Sequence, residues 1–418
     1  MKQRLTTAYS KLKETNIVSN FFNLSSIQIS NILLQLLIIR ILTGKVGIAE
    51  FGMISWGYKW AILLGILINF GTNQSGVRDV VSNLKNKNKL STVSANILLM
   101  RGIAFASVMA VLLVVYVLGI PHAIYLLLTA PVIFAEVVNP LCFFIATEKL
   151  KVFNISNLLC NVVTVITLLM FIQNSAGGIW VNFVIGSANV ITYLWLLVYF
   201  FRNQGLSFTL PQAQELKHSL RSNFYLTVNN VSGTLQQSVI LFVMVNMPAF
   251  LGPYSLCDRI IAQCRAVLIS FSMAIYPNSV KIYNQSADNW ARYRQKIKLL
   301  MAGACLIGAL FIVFLADPVV YLLLGQHNST AVFILRIMAF VPATSALNAP
   351  NVLDQLLKDR TNSIFRVSLV ILLVAVVVAF VLINTGNHWL IASFALILDM
   401  CALMLYEYLV KKTDRKNG

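Results

Sequence analysis

The sequence predicts an all-α integral membrane protein of about twelve transmembrane helices. Three observations carry that prediction: the scarcity of charge, the length of the apolar runs, and the side on which the basic residues fall. Of 418 residues, 58% are hydrophobic and only 11% charged, with a mean hydropathy of +0.78. A soluble domain carries roughly a quarter of its residues as Asp, Glu, Lys or Arg, so this chain has too little polar surface to cover a water-facing globule. Its solvent is lipid. A barrel strand alternates over about ten residues, whereas a lipid-spanning helix needs roughly twenty continuous apolar ones. Runs such as 103–119 and 367–383 are long and unalternating, which selects helices.

In chain order, spanning stretches fall at about 17–42, 51–70, 94–118, 121–146, 153–172 and 178–201, then at about 223–246, 250–276, 299–316, 329–349, 364–384 and 389–410. The first, seventh, eighth and tenth are diluted by Asn, Gln and Ser. The first apolar run follows a basic segment without a small-residue cleavage site, so it reads as a retained helix and not a removed signal peptide. With the N-terminus inside, the two tails and the alternate loops hold 25 of the 32 basic residues, among them Arg78, Lys89, Lys149, Arg221, Arg294 and Lys358. The opposite loops hold one, Lys45. The positive-inside rule then puts both termini in the cytoplasm. Because topology absorbs most of the net charge of +18, a nucleic-acid partner is not needed to explain it.

The chain also echoes itself. Ser19-Asn20-Phe21-Phe22 opens the first span and Ser222-Asn223-Phe224-Tyr225 the seventh; Ala49-Glu50-Phe51-Gly52-Met53-Ile54-Ser55 parallels Ala249-Phe250-Leu251-Gly252-Pro253-Tyr254-Ser255. The echo divides the chain into a six-helix lobe at 1–202, a cytoplasmic linker at 203–222 and a second six-helix lobe at 223–418. Two such lobes are a transporter architecture, with a substrate path between them.

Ionisable residues inside spans are the candidates for function, because a charge at the bilayer centre costs roughly 2.5–3.5 kcal/mol on insertion scales. Arg40 and Arg101 lie near estimated helix ends and are expected to snorkel to the interface. Lys59, Arg259, Arg265 and Arg336 lie deeper; they either line a central cavity or pair structurally with acids such as Glu136 or Asp399. Six intramembrane cations (those four, Arg40 and Arg101) against three acids, with Asp258 the third, suggest a cationic cavity suited to diphosphate oxygens. Asn31 and Gln35 share a polar stripe on the first helix with Asn20, Asn23, Ser26 and Ser30. The seventh helix repeats the habit with Asn229, Asn230, Gln236 and Gln237. Such stripes form either interhelical hydrogen bonds or a polar path for sugars. The six cysteines lack metal spacing and read as packing residues. The four histidines are scattered and no Gly-Lys-Ser/Thr phosphate loop occurs, so no enzyme, cofactor or metal is expected.

Phe51-Gly52, Asn69-Phe70-Gly71 leading to Arg78, and Asn139-Pro140-Leu141-Cys142-Phe143-Phe144-Ile145-Ala146-Thr147-Glu148-Lys149 carry a resemblance. The last is similar to the Asn-Pro-Leu-Trp-Phe-Phe-Gln-Gly-x-Glu-Lys pattern of Wzx-type O-antigen flippases, within the polysaccharide exporters of the multidrug/oligosaccharidyl-lipid/polysaccharide (MOP) superfamily. Asn139, Pro140, Phe143, Phe144, Glu148 and Lys149 keep that pattern. Cys142, Ile145 and Ala146 replace its Trp, Gln and Gly, so roles of those side chains do not carry over. On residue chemistry alone the segment is a Pro-shaped helix end with aromatic residues at the membrane interface.

The resemblance implies a MATE-like fold whose lobes alternate access. It implies a flippase that moves an undecaprenyl-diphosphate-linked oligosaccharide repeat unit from the cytoplasmic to the periplasmic leaflet of a bacterial inner membrane, in O-antigen or surface polysaccharide synthesis. A polysaccharide polymerase and a chain-length regulator are the implied partners, and H+ or Na+ the implied counter-ion. Glu136 and Asp399 are candidate sites for that ion; Asp258 is set aside because the adjacent Arg259 is expected to neutralise it. The alternatives are a cation-coupled multidrug antiporter of the same fold, which needs an acidic pocket, a peptidoglycan lipid-precursor flippase, which usually has extra helices, and a non-transporting scaffold.

Overall fold

The computed structural model describes residues 17–207, 209, 213–358 and 360–417. Side chains are described from residue 29 onward, apart from 213, 218, 273, 274, 277, 287, 361 and 412–417. Asn20, Asn23 and Ser26 of the first polar stripe, and the Ser19–Phe22 echo, therefore lie outside the described side chains.

The described chain is helical, without a strand. Numbered in order, its α-helices are α1 (Ile17–Asn69), α2 (Thr72–Asn83), α3 (Lys87–Val117), α4 (Ala123–Leu127), α5 (Ala130–Val137), α6 (Leu141–Ala146), α7 (Leu150–Phe171), α8 (Val181–Gln204), α9 (Ala213–Val243), α10 (Pro248–Gln285), α11 (Ala287–Phe314), α12 (Ala316–Leu324), α13 (Ser329–Met338), α14 (Val341–Leu357), α15 (Thr361–Thr385), α16 (His388–Ala392) and α17 (Phe394–Asn417). Eight segments among the described residues are long and apolar enough to cross a membrane. Helices α9 and α10, at 31 and 38 residues, are long enough but carry amides and charges.

Large apolar side chains cover the outside, as lipid demands: Val117, Phe171, Phe314 and Leu373 are all exposed. Helix α1 contains two spanning lengths joined at Gly47, whose φ of 83° and ψ of 165° break the helical run. A side chain there would be strained, so glycine sets the turn between the two lengths.

Helices α2–α8 pack among themselves and with α1; α9–α17 pack among themselves. The bridge between these two sets is mainly α1, which runs against α9, α10 and α12, with α10 its most extensive partner. The closest approach joins the two echoed segments. A Cβ on Gly52 would lie 2.7 Å from the Gly252 nitrogen, and one on Gly252 would lie 2.1 Å from the Ile48 carbonyl oxygen. Only glycine at both positions lets the backbones meet this closely. Phe51, Ile54, Leu251 and Tyr254 are buried around the crossing. Thr43 Oγ1 adds a 2.6 Å hydrogen bond to the Leu323 carbonyl.

Candidate functional site: a polar chamber between the two halves

Below the glycine crossing the halves diverge around a cavity of about 770 Å3. Its wall combines Tyr58 and Asn69 of α1, Asn73 of α2, Glu136 of α5, Asn189 and Tyr193 of α8, Asn230 and Gln237 of α9, Asn348 of α14, Ser368 of α15 and Asp399 of α17. A second cavity of about 690 Å3, lined by Arg78, Asp79, Lys89, Asn96 and Ser219, sits where the basic loops lie. The second cavity is lined mainly by the α2 and α3 residues that follow Asn73 of the chamber wall, and the glycine crossing lies at the other end of the α1 stretch that borders the chamber.

The polar residues of the chamber wall are mostly amides, set among Ala, Ile and Val side chains. An amide both donates and accepts, so it matches a ligand rich in hydroxyls better than one of fixed charge. Several of these groups are braced. Gln236 Nε2 donates to the Ser368 carbonyl at 2.6 Å and to Ser368 Oγ at 3.1 Å, whereas Asn348 Oδ1 is buried without a partner among the described residues.

The intramembrane charges are arranged differently from the sequence expectation. Lys59 Nζ lies 2.7 Å from Asp258 Oδ2, pairing the two halves across α1 and α10. Asp258 is therefore neutralised by Lys59 and not by its neighbour Arg259. Arg259 instead lies over the Phe51 and Tyr58 rings, 5.0 and 5.4 Å from their centroids, and its Nη2 is buried without a hydrogen-bond partner. Arg265 Nη2 pairs with Asp399 Oδ2 at 3.0 Å, and Thr344 and Ser345 hydroxyls donate to the same oxygen. Arg336 is exposed and lies elsewhere, in an opening shared with Asp317, His327 and Trp389. The expected cationic surplus is thus largely cancelled where the halves meet, because two of the four deep cations face carboxylates.

Glu136 differs from Asp399. Its Oε2 accepts from Asn69 Nδ2 at 3.3 Å and from Asn139 Nδ2 at 3.2 Å, and no ion-pair partner faces it among the described residues. The carboxylate borders the chamber with neutral donors only.

Arg101, expected at the interface, is fully buried. Its guanidinium donates to Thr72 Oγ1 at 2.8 Å, the Asn139 carbonyl at 2.7 Å, the Glu136 carbonyl at 3.3 Å and Asn73 Oδ1 at 3.2 Å. The α5–α6 break leaves carbonyls without helical partners, and the fork of Arg101 satisfies them. Asn139 Oδ1 caps the Leu141 amide at 3.1 Å, so Pro140 can follow without loss. Phe143 and Phe144 are buried, Phe143 stacking on Phe200 at 4.8 Å. The motif is a core elbow and not an interfacial aromatic belt; Glu148, at φ 57°, is its exposed end.

Of the polar stripes, α9 faces the chamber through Asn230 and Gln237. Asn31 instead accepts from Asn161 Nδ2 at 3.2 Å, an interhelical bond to α7. Neither Asn31 nor Gln35 lines the chamber. Tyr58, Asn189, Tyr193 and Asn348 were not singled out from sequence. Asn189 and Asn348 were detectable in principle, since an isolated amide in an apolar span needs a partner or a cavity.

A multi-pass helical bundle whose halves meet around a polar chamber has the form of a membrane transporter. Over residues 17–283 the chain matches the family described as "Polysaccharide biosynthesis protein", and it belongs to that family. A relative from Escherichia coli (strain K12), described as "Putative O-antigen transporter", is 21% identical over 340 residues, covering 79% of this chain and 80% of its own. Among solved structures, an inward-facing multidrug resistance MATE family transporter of the MOP superfamily superposes with a TM-score of 0.74 at 11% identity, covering 92% of this chain and 96% of that one. The lipid II flippase MurJ in an inward closed conformation gives 0.70 at 11% identity, covering 92% and 87%. The fold is the one these MOP-superfamily transporters share, and the chain belongs to a family of polysaccharide biosynthesis.

Proposed function

We propose that this protein flips a polyprenyl-diphosphate-linked oligosaccharide, the undecaprenyl-linked repeat unit of a surface polysaccharide, from the cytoplasmic to the periplasmic leaflet of a bacterial inner membrane. The observation that carries the reading is the amide-lined chamber of about 770 Å3 in a chain of the polysaccharide biosynthesis family. That size lies within the roughly 300–1,000 Å3 of small-molecule sites, and its chemistry suits sugar hydroxyls. The reading includes twelve spans in two six-helix lobes with both termini cytoplasmic, so that the chamber is open toward the cytoplasm.

In this reading Asn230, Gln237, Asn189 and Asn348 hold the glycan. Lys59, Arg259 and Arg265 supply charge to the diphosphate. Arg259 keeps an unpartnered Nη2 over the Phe51 and Tyr58 rings; Lys59 and Arg265 exchange a carboxylate for the incoming anion. Glu136, which borders the chamber and accepts from Asn69 and Asn139, is the site of the coupling ion in this reading.

The test is reconstitution of the full chain with a fluorescent lipid-diphosphate oligosaccharide. Wild type flips the probe, and Asn230→Leu, Gln237→Leu and Arg259→Ala slow it at normal protein levels. Efflux of cationic dyes without lipid flipping would overturn the reading in favour of a multidrug antiporter.

A further inference from the structure

The polar chamber does not end at α14. Gln237 and Asp399 line both it and a second space, a groove of about 410 Å3 between α10, α11 and α14. At its inner end stand Gln237, Arg265 and Asp399. Beyond them its walls turn apolar: Leu268, Ile269 and Ile275 from α10 face Leu353 and Leu356 of α14, with Met301 of α11 behind. Ile269 and Leu356 remain 55% and 44% exposed. At about 1.5 Å per residue, the α10 wall from Arg265 to Tyr276 runs about 16 Å. It runs away from the glycine crossing, toward the basic-loop end.

The trough therefore changes from hydrogen-bonding to hydrocarbon along its length. A free sugar has no use for the apolar end, and an ordinary apolar ligand has none for the polar end. An amphipathic ligand with a polar head and a long unsaturated tail fits both, since each buried methylene contributes about 0.8 kcal/mol. We infer that the groove between α10, α11 and α14 seats the isoprenoid chain of the lipid carrier next to its diphosphate, while the glycan occupies the chamber. The inference rests on the flippase reading and adds a tail subsite to it. Holding the first part of the tail fixes the diphosphate beside Arg265 and gives the transporter a means of rejecting a water-soluble sugar diphosphate.

The experiment uses the full chain in phosphatidylethanolamine/phosphatidylglycerol vesicles and a polyprenyl-diphosphate oligosaccharide bearing a photoreactive group early in its tail. Labelling is expected within 268–276 and 353–356, and is expected to be competed by unlabelled carrier but not by added phosphatidylglycerol. Labelling scattered over lipid-facing residues such as Phe311 and Val377, or competed equally by phosphatidylglycerol, would mean a groove filled by ordinary acyl chains and would overturn the inference. As a second measurement, Leu353→Trp and Ile269→Trp fill the groove. Each is expected to slow flipping of the long-chain substrate about tenfold, and that of a geranyl analogue less than about twofold. Equal slowing of both substrates overturns the tail subsite. Absence of flipping by wild type would refute the flippase reading itself, whereas normal flipping with labelling elsewhere refutes only the groove.

Discussion

Gly52 and Gly252 provide the sharpest test of the proposed alternating access. A methyl group on Gly252 would sit 2.1 Å from the Ile48 carbonyl oxygen, and one on Gly52 would sit 2.7 Å from the Gly252 nitrogen. Ordinary contact begins near 3.4 Å, so α1 and α10 must part by about 1 Å in either variant. Both obstacles are backbone, which cannot swing aside as a side chain does. Overpacking of this kind costs about 1–3 kcal/mol, but only in the state where the crossing is closed. The balance between closed and open crossings should therefore move about 5- to 150-fold toward open, and Gly252→Ala should act more strongly than Gly52→Ala. Trp60 and Phe242, whose rings stack across the same junction at 4.0 Å, give the readout. Cysteines placed at both positions in a cysteine-free background should be joined by a flexible bifunctional maleimide in the parent, and less so in the alanine variants. A membrane-impermeant thiol reagent added from the periplasmic side should meanwhile reach a cysteine at position 230 faster. Unchanged crosslinking and unchanged access in both alanine variants, at normal protein levels, would refute the idea that this crossing is the gate.

Three further outcomes follow from the buried polar groups. Arg101→Ala leaves its oxygen acceptors without a donor and should lower stability by about 3 kcal/mol or more, read as thermal unfolding in detergent; Arg101→Lys should not restore it, because an ammonium cannot reproduce the fork. Asp354 is fully buried and receives Trp290 Nε1 at 2.8 Å, Arg294 at 2.9 Å and Lys358 at 2.9 Å. Asp354→Asn removes the buried charge that all three groups face and should cost about 1–3 kcal/mol, and the same unfolding assay would show it. Glu136→Gln keeps an acceptor and the local packing, so melting should be close to wild type. Flipping should then lose its response to an imposed pH gradient, and a retained response would exclude Glu136 as the proton site.

What was legible in the sequence was the part that each residue states alone or through its near neighbours. Apolar runs of spanning length announce lipid, and basic loops announce a side. The echoed Phe51-Gly52 and Leu251-Gly252 segments pointed to a repeat, and Asn139-Pro140 with its aromatic followers pointed to the family. Asn230 and Gln237 were also readable as chamber candidates, because an amide inside a span must find a partner or water.

Partnership, by contrast, was decided in three dimensions. Counting six intramembrane cations against three acids suggested a cationic cavity, yet Lys59 meets Asp258 and Arg265 meets Asp399 over separations of 199 and 134 residues. Arg101 looked like a snorkelling end residue and is instead the buried clasp of the α5–α6 break. Asn31 and Asn230 belong to similar stripes, but only the second faces the chamber. The physical reason is common to all three cases. Hydropathy sets the free energy of moving a helix from water into lipid, and it depends on composition alone. The fate of a charge or an amide within the membrane depends on which partner lies within about 3 Å, and that is fixed only when the helices pack.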